Sequence, residues 1–409
     1  MKDSKYKLLI IFLIFNCFLG ALYAQFSIVA DVIILYAIMK TFNTAAYFKK
    51  VMLFFMFFLI CSIISCFYYE KQSFWLTFTN LDFIAFFPFL SYFYMIEKRR
   101  RPFSIEDIEW CIRILYFIIF LLFIIQYVLL PYKIINLATF IEGEKRFTIY
   151  GQIITLVAYF YYLNKYLVTK RNKYLLFLFP EILIVFIQGF RSYIVALILV
   201  SILFIVKVRG LRKIVSIVLI TSVLSLFIVQ IPIVNNAISN MLNRQVDANF
   251  SNEDYIRVRQ FEYFTTEHFK SPVEYIFGSG FSNPRSEYGK KMSYLKSQTD
   301  VNQTGPIGGW RDWGLVGLSW IIGVPCLLCI LFCIFKILRG KIPKQYLYLK
   351  YFYLFILLTS ITSVEFYRWG SVFIHGVLFY LFELIVKNKE TANINRNIQY
   401  ENKNIVHSK

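Results

Sequence analysis

Three short stretches of this chain combine arginine with tryptophan, carboxylates or glycine, a mixture suited to gripping a phosphorylated sugar. In Gln188-Gly189-Phe190-Arg191-Ser192 a single cation stands between two apolar runs. Its planar fork suits bidentate contact with phosphate, so Arg191 reads as a clamp for an anionic head group such as a lipid-linked diphosphate. It also reads as an interfacial arginine snorkelling to water. Arg257 and Arg259, with Arg244 upstream, form a second basic group. Residues two apart do not share a helical face, so at most one of Arg257 and Arg259 points at any single site. Glu262, three residues beyond Arg259, offers a local ion pair and with it a plain solvated-face reading. The third stretch, Asp300 to Gly314, holds Trp310, Arg311, Asp312 and Trp313 among flexible glycines. An aromatic face packs on a sugar ring while polar side chains bond its hydroxyls. Asp300 or Asp312 is the candidate general base, a role that a carboxylate performs well only when its pKa is raised. Each residue alone also has a structural reading.

The elements that must position these groups are membrane helices. The 409 residues are 58% hydrophobic, 20% aromatic and only 17% charged, and the mean hydropathy is +0.58. A formal net charge of +20 invites nucleic acid as a partner. The charge lies in short loops between apolar runs, where it reports orientation and contact with anionic lipid instead. A span needs about 20 mostly apolar residues. Candidates fall near 7–24, 26–39, 51–69, 74–96, 111–130, 148–164, 174–189, 191–206, 213–233, 313–335, 347–364 and 370–386, which predicts an all-α polytopic fold of about twelve spans. Lysine and arginine alternate sides consistently when both termini are cytoplasmic. Spans then fill 1–233 and 313–386, a large extracytoplasmic loop fills 234–312, and the polar, Asn-rich stretch 387–409 is expected to be a disordered cytoplasmic tail.

The large loop is expected to be partly folded. A helix is predicted from Tyr255 to Phe269, stopping before Ser271-Pro272, with a turn at Gly278-Ser279-Gly280. The seven cysteines all lie in or beside apolar runs, which implies no disulfide framework. Cys326, Cys329 and Cys333 have metal-like spacing but read as small buried residues on a lipid-embedded helix. No metal site and no cofactor is expected. Ionisable residues within spans, among them Asp31, Asp82, Glu181, Glu365, His375 and Glu383, are costly and keep a proton-coupled carrier in view.

The layout resembles the bacterial O-antigen and capsular polysaccharide polymerases, which share a superfamily with the O-antigen ligases. Gln188-Gly189-Phe190-Arg191-Ser192 is similar to the family's Gly-Ser-Arg-Ser/Thr element. Ile256-Arg257-Val258-Arg259-Gln260 with Phe277-Gly278-Ser279-Gly280-Phe281 resembles its Arg-bearing helix and Phe-Gly-x-Gly turn. Trp313-Gly314-Leu315-Val316-Gly317 resembles the lead into its next span, and Arg146-Phe147 before Gly151 resembles an Arg-Phe-x-x-x-Gly pattern. The resemblance covers about residues 145–320. The His that ligases carry before the Gly-Leu-x-Gly element is absent here, where Asp300 and Asn302 stand.

The resemblance implies a metal-independent glycosyltransferase in the bacterial cytoplasmic membrane. It would join undecaprenyl-diphosphate-linked oligosaccharides into O-antigen or capsule, with membrane lipid and a chain-length regulator as further partners. Arg191 and Arg257 or Arg259 would neutralise the leaving diphosphate, while Arg146, Arg311 and Trp310 would contact diphosphate or sugar. The alternatives are an O-antigen ligase and, in a different class, a polysaccharide flippase or other transporter. The folded loop and the lack of an internal repeat weigh against the transporter.

Overall fold

The computed structural model describes residues 2–13, 36–41, 46–78, 86–98, 103–130, 132, 138–141, 146–149, 151–188, 191–210, 256–297, 310–361, 366 and 371–388. The described residues are helical apart from one antiparallel hairpin, Ala138–Ile141 with Arg146–Ile149, in which Phe140 is in register with Phe147. Among the described residues, four helices are long and apolar enough to cross a membrane: Lys49–Tyr69, Ile105–Val128, Ser192–Arg209 and Ser371–Asn388. These point to a membrane protein.

The difference from the twelve expected spans has identifiable origins. The spans expected at 7–24, 26–39 and 213–233 lie largely or wholly outside the described residues. The span expected at 174–189 is two pieces, Lys173–Leu176 and Phe179–Gln188, with Pro180 in the first turn of the second. The span expected at 313–335 is also two helices, Gly314–Ile322 and Val324–Arg339, parted at Gly323 just ahead of Pro325. Proline cannot donate to a preceding turn, and Gly323 has φ 84°, so the helix stops and restarts there. Ile153–Thr169, of 17 residues, and Tyr348–Thr359, of 12, are short for a span.

The helix Lys49–Tyr69 shows why these segments assemble. Met52, Phe55, Leu59, Ile63 and Cys66 are buried, while Phe54, Phe57, Ile60, Ile64 and Phe67 on the other side are exposed. A helix apolar all round suits lipid on one face and protein on the other. Several polar groups inside the bundle are paired, as a low-dielectric interior favours. The Glu383 carboxylate accepts from the Phe48 amide at 3.0 Å and from the Tyr94 hydroxyl, joining three segments. The Tyr348 hydroxyl donates to Glu109 at 3.2 Å, and Lys165 lies 3.7 Å from the same carboxylate. At the start of Ile105–Val128, Ser104 and Asp107 form a reciprocal cap, and Ser4 donates to the same Asp107 carboxylate at 3.0 Å.

The bundle has two unlike ends. At one, Lys336 sits over the Tyr47 ring, Arg209 donates to the Tyr166 carbonyl, Lys387 pairs with Glu97 and Lys98 donates to the Lys40 carbonyl. Glu109, Lys165 and the Asn164–Gln345 contact belong to this basic end. The opposite end carries Glu70, the hairpin, the start of Arg191–Arg209 and the folded part of the large loop.

At this loop end the chain Phe277–Gly280 docks into the helix break. The Ser279 amide donates to the Trp320 carbonyl at 3.0 Å, the Gly280 amide to Ile321 at 2.9 Å, and the Ser62 hydroxyl to Ile321 at 3.1 Å. A Cβ on Gly278 would lie 2.3 Å from the Ile321 carbonyl oxygen, and one on Gly280 would lie 2.6 Å from the Cys66 Cβ. Gly210 also has a positive φ, 79°, but nothing within 4 Å of a Cβ. Gly210→Ala should therefore cost only the left-handed strain, about 1–2 kcal/mol. Gly278→Ala adds a backbone collision and should lower the thermal midpoint of the detergent-purified protein clearly further. Equal midpoints would show that the docking is not as tight as described.

Candidate functional site

The loop end gathers several of the residues singled out above. The helix Ile256–Glu262 carries Arg257 and Arg259, and it packs on the short 3-10 turn Trp310–Trp313, which carries Trp310, Arg311 and Asp312. The join is aromatic. Phe261 meets Trp313 at 4.9 Å between centroids, Trp313 meets Trp320 at 6.1 Å, and Phe264 stacks on Trp320 at 4.6 Å and 12°. Trp310 stands edge-on to Phe281 at 5.8 Å. Arg259 and Trp310 are half-buried. The indole N–H of Trp313, shielded from solvent, has no hydrogen-bond partner among the described residues.

Arg146 and Arg191 belong to a neighbouring pair of elements. Gln188, three residues before Arg191, donates to the Phe147 carbonyl at 3.1 Å and pairs amide to amide with Gln152. The helix that Arg191 begins runs along Tyr348–Thr359, with Tyr193 against Phe355 at 5.4 Å. The far end of Tyr348–Thr359 meets the start of Gly314–Ile322, where the Leu315 amide donates to Ser360 at 2.8 Å. Both groups thus converge on one end of the bundle. Asp300 lies outside the described residues, as do the side chains of Arg146, Arg191, Arg257, Arg311 and Asp312.

The glycines of the two motifs serve close packing. Gly314, with φ 51°, would place a Cβ 2.0 Å from the Ser360 oxygen, and Gly317 one 1.8 Å from the Trp310 oxygen. The Trp-Gly-Leu-Val-Gly stretch therefore folds the aromatic turn back onto its own helix. Phe-Gly-Ser-Gly holds the loop against the helix break.

Sequence reasoning missed a buried polar group beside these elements. The expected helix from Tyr255 to Phe269 becomes an α-helix to Glu262 and then a π-turn, Tyr263–Glu267. That wider turn sets Tyr263 and His268 five apart on one side, where His268 Nδ1 lies 3.2 Å from the Tyr263 hydroxyl. Burial, with Lys291 and Lys270 nearby, pushes His268 down to about 3, so it stays neutral. A new helix, Pro272–Phe277, then starts. Ser271 accepts from the Glu274 amide at 3.3 Å, and the Glu274 carboxylate accepts from the Lys270 amide at 2.8 Å. Ser271-Pro272-Val273-Glu274 is a legible start signal, a cap followed by proline and then an acid.

Glu274 is fully buried, with the carboxyl of Glu70, the cap of Lys49–Tyr69, close by. Burial, reinforced by Glu70, pushes Glu274 up to about 7 from 4.5. Lys270 lies 2.8 Å from Glu70 and donates to the Tyr69 carbonyl at 2.7 Å. Nearby, Gln72 accepts from the Asn283 amide at 2.8 Å and from Ser286 at 2.7 Å, and donates to the Phe281 carbonyl at 2.9 Å. These bonds fasten the loop to the end of Lys49–Tyr69. Among the described residues there is no cluster of His, Cys, Asp and Glu able to hold a metal ion.

No family profile, curated protein or solved structure matches this chain.

The carboxyl pair sets a pH dependence. Folded Glu274 holds a proton between its ordinary value of 4.5 and about 7, while the unfolded chain has released it. Stability therefore falls as pH rises through that window and levels off above it. Glu274→Gln, which keeps a neutral hydrogen-bonding group, should remove most of this slope. Thermal midpoints measured from pH 5 to 8 in wild type and variant check it; parallel curves would refute the retained proton.

Proposed function

We propose that this protein is a bacterial polysaccharide polymerase that joins lipid-diphosphate-linked oligosaccharide units at the loop end of its membrane bundle. One observation supports this above the rest: the Arg-bearing helix Ile256–Glu262 lies against the aromatic turn Trp310–Trp313 at the end of the bundle opposite its basic surface. In that orientation the basic end faces the cytoplasm, following the bias of lysine and arginine toward that side. The loop end then faces outward, where lipid-linked repeat units are exposed.

In this reading the acceptor hydroxyl attacks the anomeric carbon of the growing chain, the glycosidic bond to the diphosphate breaks, and undecaprenyl diphosphate leaves. Arg191, with Arg257 or Arg259, neutralises the charge that develops on the leaving diphosphate, a task for fixed cations in a shielded site. Arg146 and Arg311 are further phosphate contacts. Trp310 supplies a face for a sugar ring, and the unpaired Trp313 N–H supplies a donor for a hydroxyl or phosphate oxygen. Asp312, on the same turn, and Asp300 are the candidate bases. His268, neutral and fully buried among aromatic rings, serves packing and takes no part in the chemistry.

Arg191→Ala in the native host should abolish long-chain polymer and leave single-repeat product, with the protein still in the membrane fraction. Gel profiling of the polysaccharide reads the outcome. Normal chain lengths would exclude Arg191 from the reaction, and accumulated lipid-linked polymer would assign a ligase instead.

A further inference from the structure

We infer that residues 272–281 of the large loop form a re-entrant segment, dipping into the bilayer and presenting Val273 and Ile276 to lipid acyl chains. The path of the chain carries this. The segment starts level with the end of Lys49–Tyr69, where Lys270 contacts Tyr69 and Glu70. It then descends. Gly280 lies against Cys66 and the Ser62 carbonyl, and Gly278 lies against Ile321 and Gly323. At 1.5 Å per residue, Ser62 is about 10 Å below Tyr69, and Gly323 about 14 Å below Gly314. The chain then returns, with Phe281, Asn283 and Ser286 bonded to Gln72 and Asn283 also donating to the Leu76 carbonyl at 3.0 Å.

The position of the interface is marked by side chains. Tyr68 and Trp75 are 63% and 60% exposed at the end of Lys49–Tyr69 and on Phe74–Phe78, where aromatic residues favour the head-group level. The lowest point of the segment lies on the bundle side of that level. The helix Pro272–Phe277 packs against Lys49–Tyr69 and Val324–Arg339, whose own outward stripes are apolar. Those stripes are Phe57, Ile60, Ile64 and Phe67 on the first, and Val324, Leu328, Phe332 and Phe335 on the second. Val273 and Ile276, 49% and 47% exposed, extend this surface. They sit three apart on one helical face, while Glu274 points inward. The amides of Gly278, Ser279 and Gly280 are satisfied within the protein, as non-helical backbone at hydrocarbon depth requires. Ser279 and Gly280 donate to the carbonyls freed at the helix break.

Collision accessibility of a nitroxide tests this without reference to product formation, so its failure is distinct from failure of the polymerase reading. Full-length Val273→Cys and Ile276→Cys are spin-labelled and reconstituted in phosphatidylcholine–phosphatidylglycerol vesicles. Phe67→Cys serves as the lipid reference and Glu287→Cys, whose side chain is 87% exposed, as the aqueous one. Unsubstituted protein treated in parallel corrects for label on native cysteines. The ratio of oxygen to nickel-complex collisions at 273 and 276 should match Phe67→Cys and exceed Glu287→Cys by about tenfold, the factor for a 1.4 kcal/mol partition penalty on the polar complex. A ratio like that of Glu287→Cys would place the segment in water. Low collision with both reagents would mean that protein covers it. Either result overturns the inference.

Discussion

A broken helix inside a lipid-facing bundle leaves carbonyl oxygens without their usual donors, and the arrangement of the loop end follows from how they are satisfied. The break at Gly323 frees Trp320 and Ile321, and both are met by the chain from Phe277 to Gly280 and by Ser62. Water cannot serve there, so protein must. Only residues without a Cβ fit this closely, which is why glycine stands against backbone at 278 and 323 and against the Cys66 side chain at 280. Once docked, the chain sets the neighbouring parts. It brings Glu274 to Glu70 and Phe281 to Trp310.

The aromatic ladder from Phe264 through Trp320 and Trp313 to Phe261 then carries order outward from this dock. It links the membrane helix to the Arg-bearing helix without long polar side chains. Tilted and stacked rings 4.6–6.1 Å apart hold orientation as well as bury area. The Arg-bearing helix is thereby mounted on rigid elements, a condition that the proposed electrostatic stabilisation would need.

Much of the helical frame was legible in the sequence. Apolar runs located Lys49–Tyr69, Ile105–Val128 and Arg191–Arg209 closely, because lipid-facing helices need apolar residues on every side. The clustering of lysine and arginine at one end was legible for the same reason. The interruptions were harder. Gly323-Val324-Pro325 sits within an unbroken apolar run, and hydropathy alone does not register a change of backbone direction. The site was legible only as separate pieces. Trp310 stood out by type, but Phe261 gave no such signal and Glu70 falls just past the end of the span expected at 51–69. Its partners lie far along the chain, since Lys270 and Tyr69 are separated by 201 positions. No local spacing encodes such a meeting.

That separation also orders the assembly of the molecule. Ser62 bonds Ile321 across 259 positions, and Gln72 bonds Phe281 across 209. During synthesis the N-terminal helices emerge first, then the loop, and only after residue 323 does its seat on the broken helix exist. Until then the glycine-rich strand has no carbonyls to pair with and Gln72 lacks its partners from Phe281 onward. The part of the fold that supports the Arg-bearing helix is therefore late to close, a long-range step that waits for nearly four-fifths of the chain.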